Sequence, residues 1–571
     1  MAAERPVRTS AWTSKTAVRP AMDPVSATAR AEAYEAGMNA GGAAREPPVL
    51  ARAPTAIHDA AGDAPVTNNY DDQGRLLSTT DPAGNSVQNL YPGQPYTPPG
   101  GSATTVATGQ QVVIDRMGFM TLLGYDQFGN VTNKVQYGAY NPVTNDLTGV
   151  VTTSSAFGDG NNPNSPTSTT DGDNNTTSYT YDPQGDTLTV TDANDHTTTT
   201  KYNGYGQPTD VFDATEVNTV HNEYDPATGN LTSTTDALGH VTSYQYNTSG
   251  TVAQVTDARG KKTYFSYDPA NKTDLVAVQD PLGHVTGFAY DNAGDKILQT
   301  QTRTNALTGL PETLVTQFQY DGNGKLTGTL HPDGSLNQTF YTRLGKVDHT
   351  IDAAGHLRQY VYDSLGQQIM AFNPTNSGSS NGYTQTIYDF NGNPTQQVDQ
   401  KGRITQTSYD GLGRAYRMQQ LGTAASPLAT PITTTTAYDG AGNVVSETDA
   451  NGNTTQHAYD AANNKITDTD ALGNVTNYGY DENNRLTSVT EPPQTHASYT
   501  PILIQRTTTY FYDQAGRQTM TILPDKVTAT VTGYDELNRR TSFTDGSNRT
   551  TTYGYDLRHE VARMIVAQAA A

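Results

Sequence analysis

The sequence predicts an all-β protein built as a long array of β-hairpins. Three observations carry that prediction: a Tyr-Asp signature that recurs along the chain, a glycine or asparagine four residues after most of those tyrosines, and a composition poor in helix formers. Hydrophobic residues make up only 34% of the 571-residue chain and charged residues 16%. Thr, Asn, Gly, Asp, Gln and Tyr fill the remainder, a mix that disfavours helix and favours strands joined by tight turns. Tyr (35) far exceeds Phe (12) and Trp (1). Tyrosine buries a ring while its hydroxyl keeps a partner, so the predicted core is aromatic and partly polar.

Residues 1–64 are rich in Ala, Arg and Pro without periodicity. They are read as a disordered or low-complexity segment, in which ATARAEAYEAGM has the pattern of a short helix. Residues 65–556 form the repeat array. Its tyrosines stand at positions 70, 125, 181, 202, 224, 246, 267, 290, 320, 341, 362, 388, 409, 438, 459, 480, 512, 534 and 555, and sixteen of the nineteen are followed by Asp. Many intervals are 21 to 23 residues, and longer ones read as the same unit with an insert. Self-similarity at a fixed short period is the mark of a repeat architecture rather than of a catalytic motif.

Each unit is read in four parts. Tyr-Asp-x-x-Gly is a hairpin turn: Gly stands four residues after the tyrosine in thirteen of nineteen units, and Asn in four (Asn271, Asn463, Asn484 and Asn538). Gly and Asn most readily take positive φ. The signature is represented by Tyr181, Asp182 and Gly185; Tyr290, Asp291 and Gly294; Tyr409, Asp410 and Gly413; Tyr438, Asp439 and Gly442; and Tyr480, Asp481 and Asn484. A short strand follows, such as NVVSETD at 443–449. A second turn, Asp-x-x-Gly, comes next, as at 236–239, 352–355 and 470–473. A second strand then returns to the next tyrosine, often ending aromatic-x-Tyr, as at Phe288/Tyr290 and Tyr478/Tyr480. Residues i and i+2 of a strand share a face, so stacked units are expected to line up aromatic rings on one side of a sheet. Two strands alone are marginal in water, and neighbouring units supply the missing contacts. The inserts, such as 373–382 and 491–501, read as loops on one rim.

The net charge of −22 with no basic stripe argues against nucleic-acid binding. The absence of cysteine excludes disulfides, thiolate nucleophiles and Cys-ligated metals. No run of residues is apolar for long enough to predict a transmembrane helix, and the N-terminus shows no apolar signal-peptide core.

The pattern Y-D-x-x-G-[RN]-[LV] followed by T-D-x-x-G-[NH]-x-T-x-Y-x-Y-D resembles the RHS or YD-repeat family. The resemblance runs over roughly residues 70–556. It implies a β-hairpin ribbon that spirals into a hollow or partly open shell, like those of polymorphic bacterial toxins, the BC components of Tc toxin complexes, and teneurins. It also implies a secreted or cell-surface protein, and a non-enzymatic role in enclosing a C-terminal toxin domain that this chain does not contain. The alternative is an adhesin or glycan-binding module with a cell-surface ligand. Complete relatives end in a DPxGL-type self-cleavage motif. The DPxG sequences here, at 81–84, 182–185 and 280–283, are followed by Asn, Asp and His. Residues 557–571 are read as an aberrant, truncated tail.

No residues are assigned to catalysis, cofactor binding or metal binding. His240, His284 and His356 each follow the glycine of a second turn, a phase also filled by Asn, Lys and Arg, and are read as exposed turn residues. No His-Glu-x-x-His, Gly-x-Ser-x-Gly or Walker A pattern occurs. Nearly all the aspartates fall at the two turn phases rather than as an isolated carboxylate pair. DGDNNTTSYTYD at 171–182 places Asp171, Asp173, Asn175 and Asp182 at calcium-loop positions, but Thr176 stands where such a loop needs glycine.

Overall fold

A computed structural model describes residues 56–57, 66–304, 309–372, 382–495, 503–525, 529–556 and 561–566. All of them lie in the unit formed by residues 53–571.

The described residues form an antiparallel sheet of 43 strands. Almost every strand pairs with the strands before and after it in sequence, so the sheet grows by one hairpin at a time. Thr454–Tyr459, for instance, lies between Val444–Thr448 and Lys465–Thr469. A register shift falls just before the tyrosine that ends each unit, as between Gly479 and Tyr480 and between Ala458 and Tyr459. The cause is the turn. Asp481 N–H donates to Arg485 O at 3.0 Å, and Asn484 N–H donates back to Asp481 O at 2.9 Å. This is a tight turn closed by a left-handed residue that inserts a bulge into the ladder. The bulge recurs unit after unit and adds to the twist of the sheet.

The wall is one sheet thick. Along Pro311–Tyr320 exposed and half-buried residues alternate, with the tyrosine on the half-buried face. Fully buried apolar side chains are few. The main cluster joins Val106, Val112 and Met120, with Leu90, Tyr96, Ile114, Leu122 and Tyr137 against it. It forms where the Pro-rich insert after Tyr91 folds into a separate small hairpin, Pro95–Tyr96 with Thr104–Thr105. Ser86–Leu90 therefore pairs directly with Gln110–Ile114.

Several expectations change. The long intervals before Tyr320, Tyr438 and Tyr512 lengthen strands as well as loops. Pro311–Tyr320 has 10 residues and Pro427–Tyr438 has 12. Glu491 to Thr495 of the second insert lies within the strand Leu486–Thr495, while 496–502 and 373–381 lie outside the described residues. Ala56–Ile57, inside the stretch read as low-complexity, pairs with Val66–Tyr70. Val561–Val566, in the stretch read as an aberrant tail, is a further strand on Thr550–Tyr555. Its Val, Met and Ile residues suit a strand whatever repeat motif is missing. The rest of residues 1–64 and 557–571 lies outside the described residues. Among those described, no helix is long and apolar enough to cross a membrane.

Candidate functional site

The repeated residues build two rows of turns, one at each end of the strands. In the Tyr-Asp turns the aspartate acts as a clamp on its own loop. Asp182 Oδ1 accepts the amides of Gln184 and Asp186, both at 2.9 Å. Asp291 Oδ1 accepts those of Ala293 and Asp295 at 2.8 and 3.0 Å. Asp410 and Asp481 do the same for Leu412 and Arg414, and for Asn483 and Arg485. Asp439 Oδ1 accepts Asn443 N–H at 2.7 Å. The fourth residue is left-handed in each case: Gly185 (φ 91°), Gly294 (88°), Gly413 (76°), Gly442 (99°) and Asn484 (57°). Asn463 and Asn538 are left-handed as well. Asn271 is not. In that unit Lys272 takes φ 61°, because the turn is longer and Asp268 N–H reaches Asp274 O.

The tyrosines link each unit to the one before. The hydroxyls of Tyr181, Tyr290, Tyr409, Tyr438 and Tyr480 donate to the carbonyls of Pro166, Leu275, Pro394, Ala415 and Lys465, at 2.8, 3.0, 3.3, 2.9 and 2.9 Å. The sequence separation varies widely: 15 residues for Tyr480, 23 for Tyr438 and 26 for Tyr512. In those three units the acceptor is nonetheless always the sixth residue after the preceding signature tyrosine. An insert therefore leaves the latch in place. Burial is the largest influence on these phenols and raises their pKa.

A second link was only half legible in the sequence, as the Arg or Asn that follows the turn glycine. Arg414 pairs with Asp410 (Nε to Oδ2, 2.9 Å) and donates to Asp439 O, and its guanidinium lies 4.8 Å from the centre of the Tyr438 ring. Arg485 over Tyr512, Arg517 over Tyr534 and Arg539 over Tyr555 repeat this arrangement at 4.9, 4.7 and 4.2 Å. Where the residue is Asn, as at Asn443 and Asn464, its amide holds the turn aspartate and reaches the asparagine of the next turn. The aromatic residues line one face, as at Phe318 and Tyr320, and successive units are joined there by cations and hydroxyls bridging from ring to backbone. Among the described residues the ring stacks, such as Tyr140 on Tyr416, do not join successive signature tyrosines.

At the opposite rim His240, His284 and His356 place Nδ1 3.0, 2.9 and 2.8 Å from Oδ2 of Asp236, Asp280 and Asp352. They are half-buried clamps of their own turns rather than exposed residues. The calcium-like stretch does not converge. Asp171 caps its own turn, Asp182 lies beyond the strand Thr176–Tyr181, and Asp173 faces a distant turn. Among the described residues no group of three or more His, Asp or Glu is placed to hold a metal.

That distant contact belongs to a seam. Turns of the second kind meet Tyr-Asp turns between 266 and 292 residues further along the chain. Asp173 accepts the amides of Gly440 and Ala441 at 2.9 and 2.8 Å. The side-chain amides of Asn391, Asn194, Asn483 and Asn484 bond to Asp115, Asp460, Asp213 and Asp192. Gly411 N–H donates to Gly138 O at 2.7 Å. Burial raises the pKa of Asp115 against the Asn391 amide, and raises that of Asp439, where the Asp173 charge adds to it. At Asp192 burial also pushes upward, but the Asn484 amide and the turn amides outweigh it and hold the pKa low. One cluster stands apart on the tyrosine face. Asp468 is shared by His457, Lys465 and Tyr478, and burial together with the Asp468 bond pushes the Tyr478 phenol up to about 12.

Residues 224–262, 438–473 and 465–492 match the family described as RHS Repeat, and two of these stretches begin on signature tyrosines. No curated protein matches the chain. Among solved structures, the crystal structure of TcdB2-TccC3 is similar at 15% identity and a TM-score of 0.46, over 89% of this chain and 32% of that one. The TcdB2-TccC3-TEV crystal structure gives 15% and 0.48 over 87% and 30%. A Tc holotoxin pore of Photorhabdus luminescens gives 14% and 0.46 over 88% and 29%. The chain thus spans about a third of the length of those chains. The matched stretches are RHS repeats, and the tyrosine series that runs through them continues on both sides in the rest of the array.

Proposed function

We propose that this chain is a non-enzymatic β-scaffold whose wall encloses a polypeptide cargo, a toxin domain carried outside this sequence. The seam is the observation that carries the proposal. Turns nearly 300 residues apart meet, so the sheet comes round on itself instead of running on as an open ribbon. The turn aspartates and tyrosines described above are engaged in the wall's own turns and latches. Delivery outside the producing cell belongs to the same reading. The test is protease protection: the chain is co-expressed with the polypeptide encoded downstream of it and the complex is digested. A cargo that survives while the seam is intact supports enclosure, and a cargo cut as fast as the free polypeptide overturns it.

One observation favours a second reading. Tyr264, Phe340 and Tyr383 stand on the face opposite the signature tyrosines and are 43%, 39% and 41% exposed. An adhesin would use such rings against a cell-surface protein or glycan. Binding to a glycan array that is lost in Phe340→Ser supports this reading, and an array with no binding removes it.

A further inference from the structure

The seam is unevenly built. In its first part, after the Asn391–Asp115 side-chain bond, backbone approaches backbone. Gly411 bonds to Gly138, Asp173 collects two amides of the opposing turn, and the Tyr140 and Tyr416 rings stack with centroids 4.4 Å apart. A Cβ on Gly172 would stand 2.2 Å from Gly440 O, so only glycine permits that approach. At the other end, turns 192–195 and 213–216 meet turns 460–463 and 481–484 through Asn and Asp side chains, with one backbone amide, that of Ala214, held by Asn483. Cavities of about 800 and 330 Å³ interrupt this half of the seam, lined from both layers.

We propose that the two layers part reversibly from this second end, with the glycine-paired end as the hinge, opening a slit through the wall while the strand ladders stay intact. Amide–carboxylate bonds between half-exposed side chains are replaced on parting by bonds to water, which offset most of their gross strength. None of the residues of these four turns is a buried apolar side chain, so parting them exposes no core. Each strand, by contrast, is held to its neighbours by backbone bonds along 5 or 6 residues. Local opening is drawn from such weakly held contacts and lies well below global unfolding in free energy.

The chain has no cysteine, so spin labels can be placed cleanly. Thr215→Cys and Glu482→Cys put labels on the two walls of the larger cavity. Added urea below the unfolding midpoint is expected to broaden and lengthen the label-to-label distance while the far-ultraviolet circular dichroism of the full chain stays constant. In the unlabelled chain the Ala214 amide should exchange with solvent on the order of tenfold or more faster than the amides of Gly411, Gly440 and Ala441. Asn483→Ala should move the distance change to lower urea. A distance that stays narrow until the strands themselves are lost, or an Ala214 amide as protected as those at the glycine-paired end, overturns the proposal.

Discussion

Tyr480 shows how a single side chain ties the wall together. Its ring closes the strand Val475–Tyr480 and its hydroxyl holds Lys465 O at 2.9 Å. Tyr480→Phe keeps the ring and orphans a carbonyl, so it should lower stability by about 0.5–1.5 kcal/mol in urea unfolding. Loss of much more would mean that the ring has shifted. Backbone conformation gives a change of opposite sign. Glu216 closes a second turn at φ 62°, where most units have glycine. A left-handed conformation costs a residue with a Cβ roughly 1–2 kcal/mol. Glu216→Gly should therefore raise the unfolding midpoint, by less than the full amount because glycine gains entropy in the unfolded chain. An unchanged midpoint would show that the turn is not strained.

At the scale of the hairpin, the turn carboxylates set the response to acid. For Asp449 and Asp470 the side-chain amides of Asn453 and Asn474 are the largest influence and lower the pKa. At Asp236 and Asp280 burial works upward but is outweighed by bonds from His240 and His284, and the pKa again falls below the usual range. A folded pKa below the unfolded one contributes stability that is complete above the unfolded value of about 4 and is lost as pH falls through the folded value. Asp115 and Asp439, shifted the other way, protonate earlier and lose no such contribution. On this account urea midpoints should not fall as pH drops from neutrality to about 4 and should decline steadily below it. A decline that begins near neutrality would place the acid-sensitive groups elsewhere. Because these turns are largely exposed, the effect of any one carboxylate is small and the decline reflects their number.

At the scale of the whole described unit, shape depends on how the seam closes. Gly172 and Gly440 approach so closely that a Cβ on either would lie 2.2 or 2.3 Å from the other's carbonyl oxygen. Gly172→Ala should leave the circular dichroism of the strands intact and increase the radius of gyration measured by small-angle scattering. An unchanged radius would show that the circuit closes without this contact. The wall has little apolar core outside the cluster around Val112, so its dimensions depend on turn chemistry and sheet twist more than on burial.

The all-β hairpin architecture could be read from the sequence because its causes are local. A turn needs a capping side chain and a left-handed residue within about five positions, and that need is written out in most units. It was legible at Asn463 and Asn538. It failed at Asn271, where the extra residues of the turn moved the left-handed position to Lys272, and in the last unit, where Val561–Val566 pairs as a strand without the repeat motif. The arginines over the tyrosines were visible as a conserved slot within the repeats of this chain, but not as ring contacts. A ribbon that spirals was expected from the family resemblance, but the residues of the seam were not legible. Asp173, Asn194 and Asn483 look like any other turn residue, and which of them meets a partner some 270 residues away depends on twist accumulated over many strands. By itself the sequence determined the hairpin and its repetition, because turn chemistry acts over a few bonds. Only the tertiary structure decided which turns meet when the sheet returns on itself, because small rotations between successive strands sum over the whole circuit.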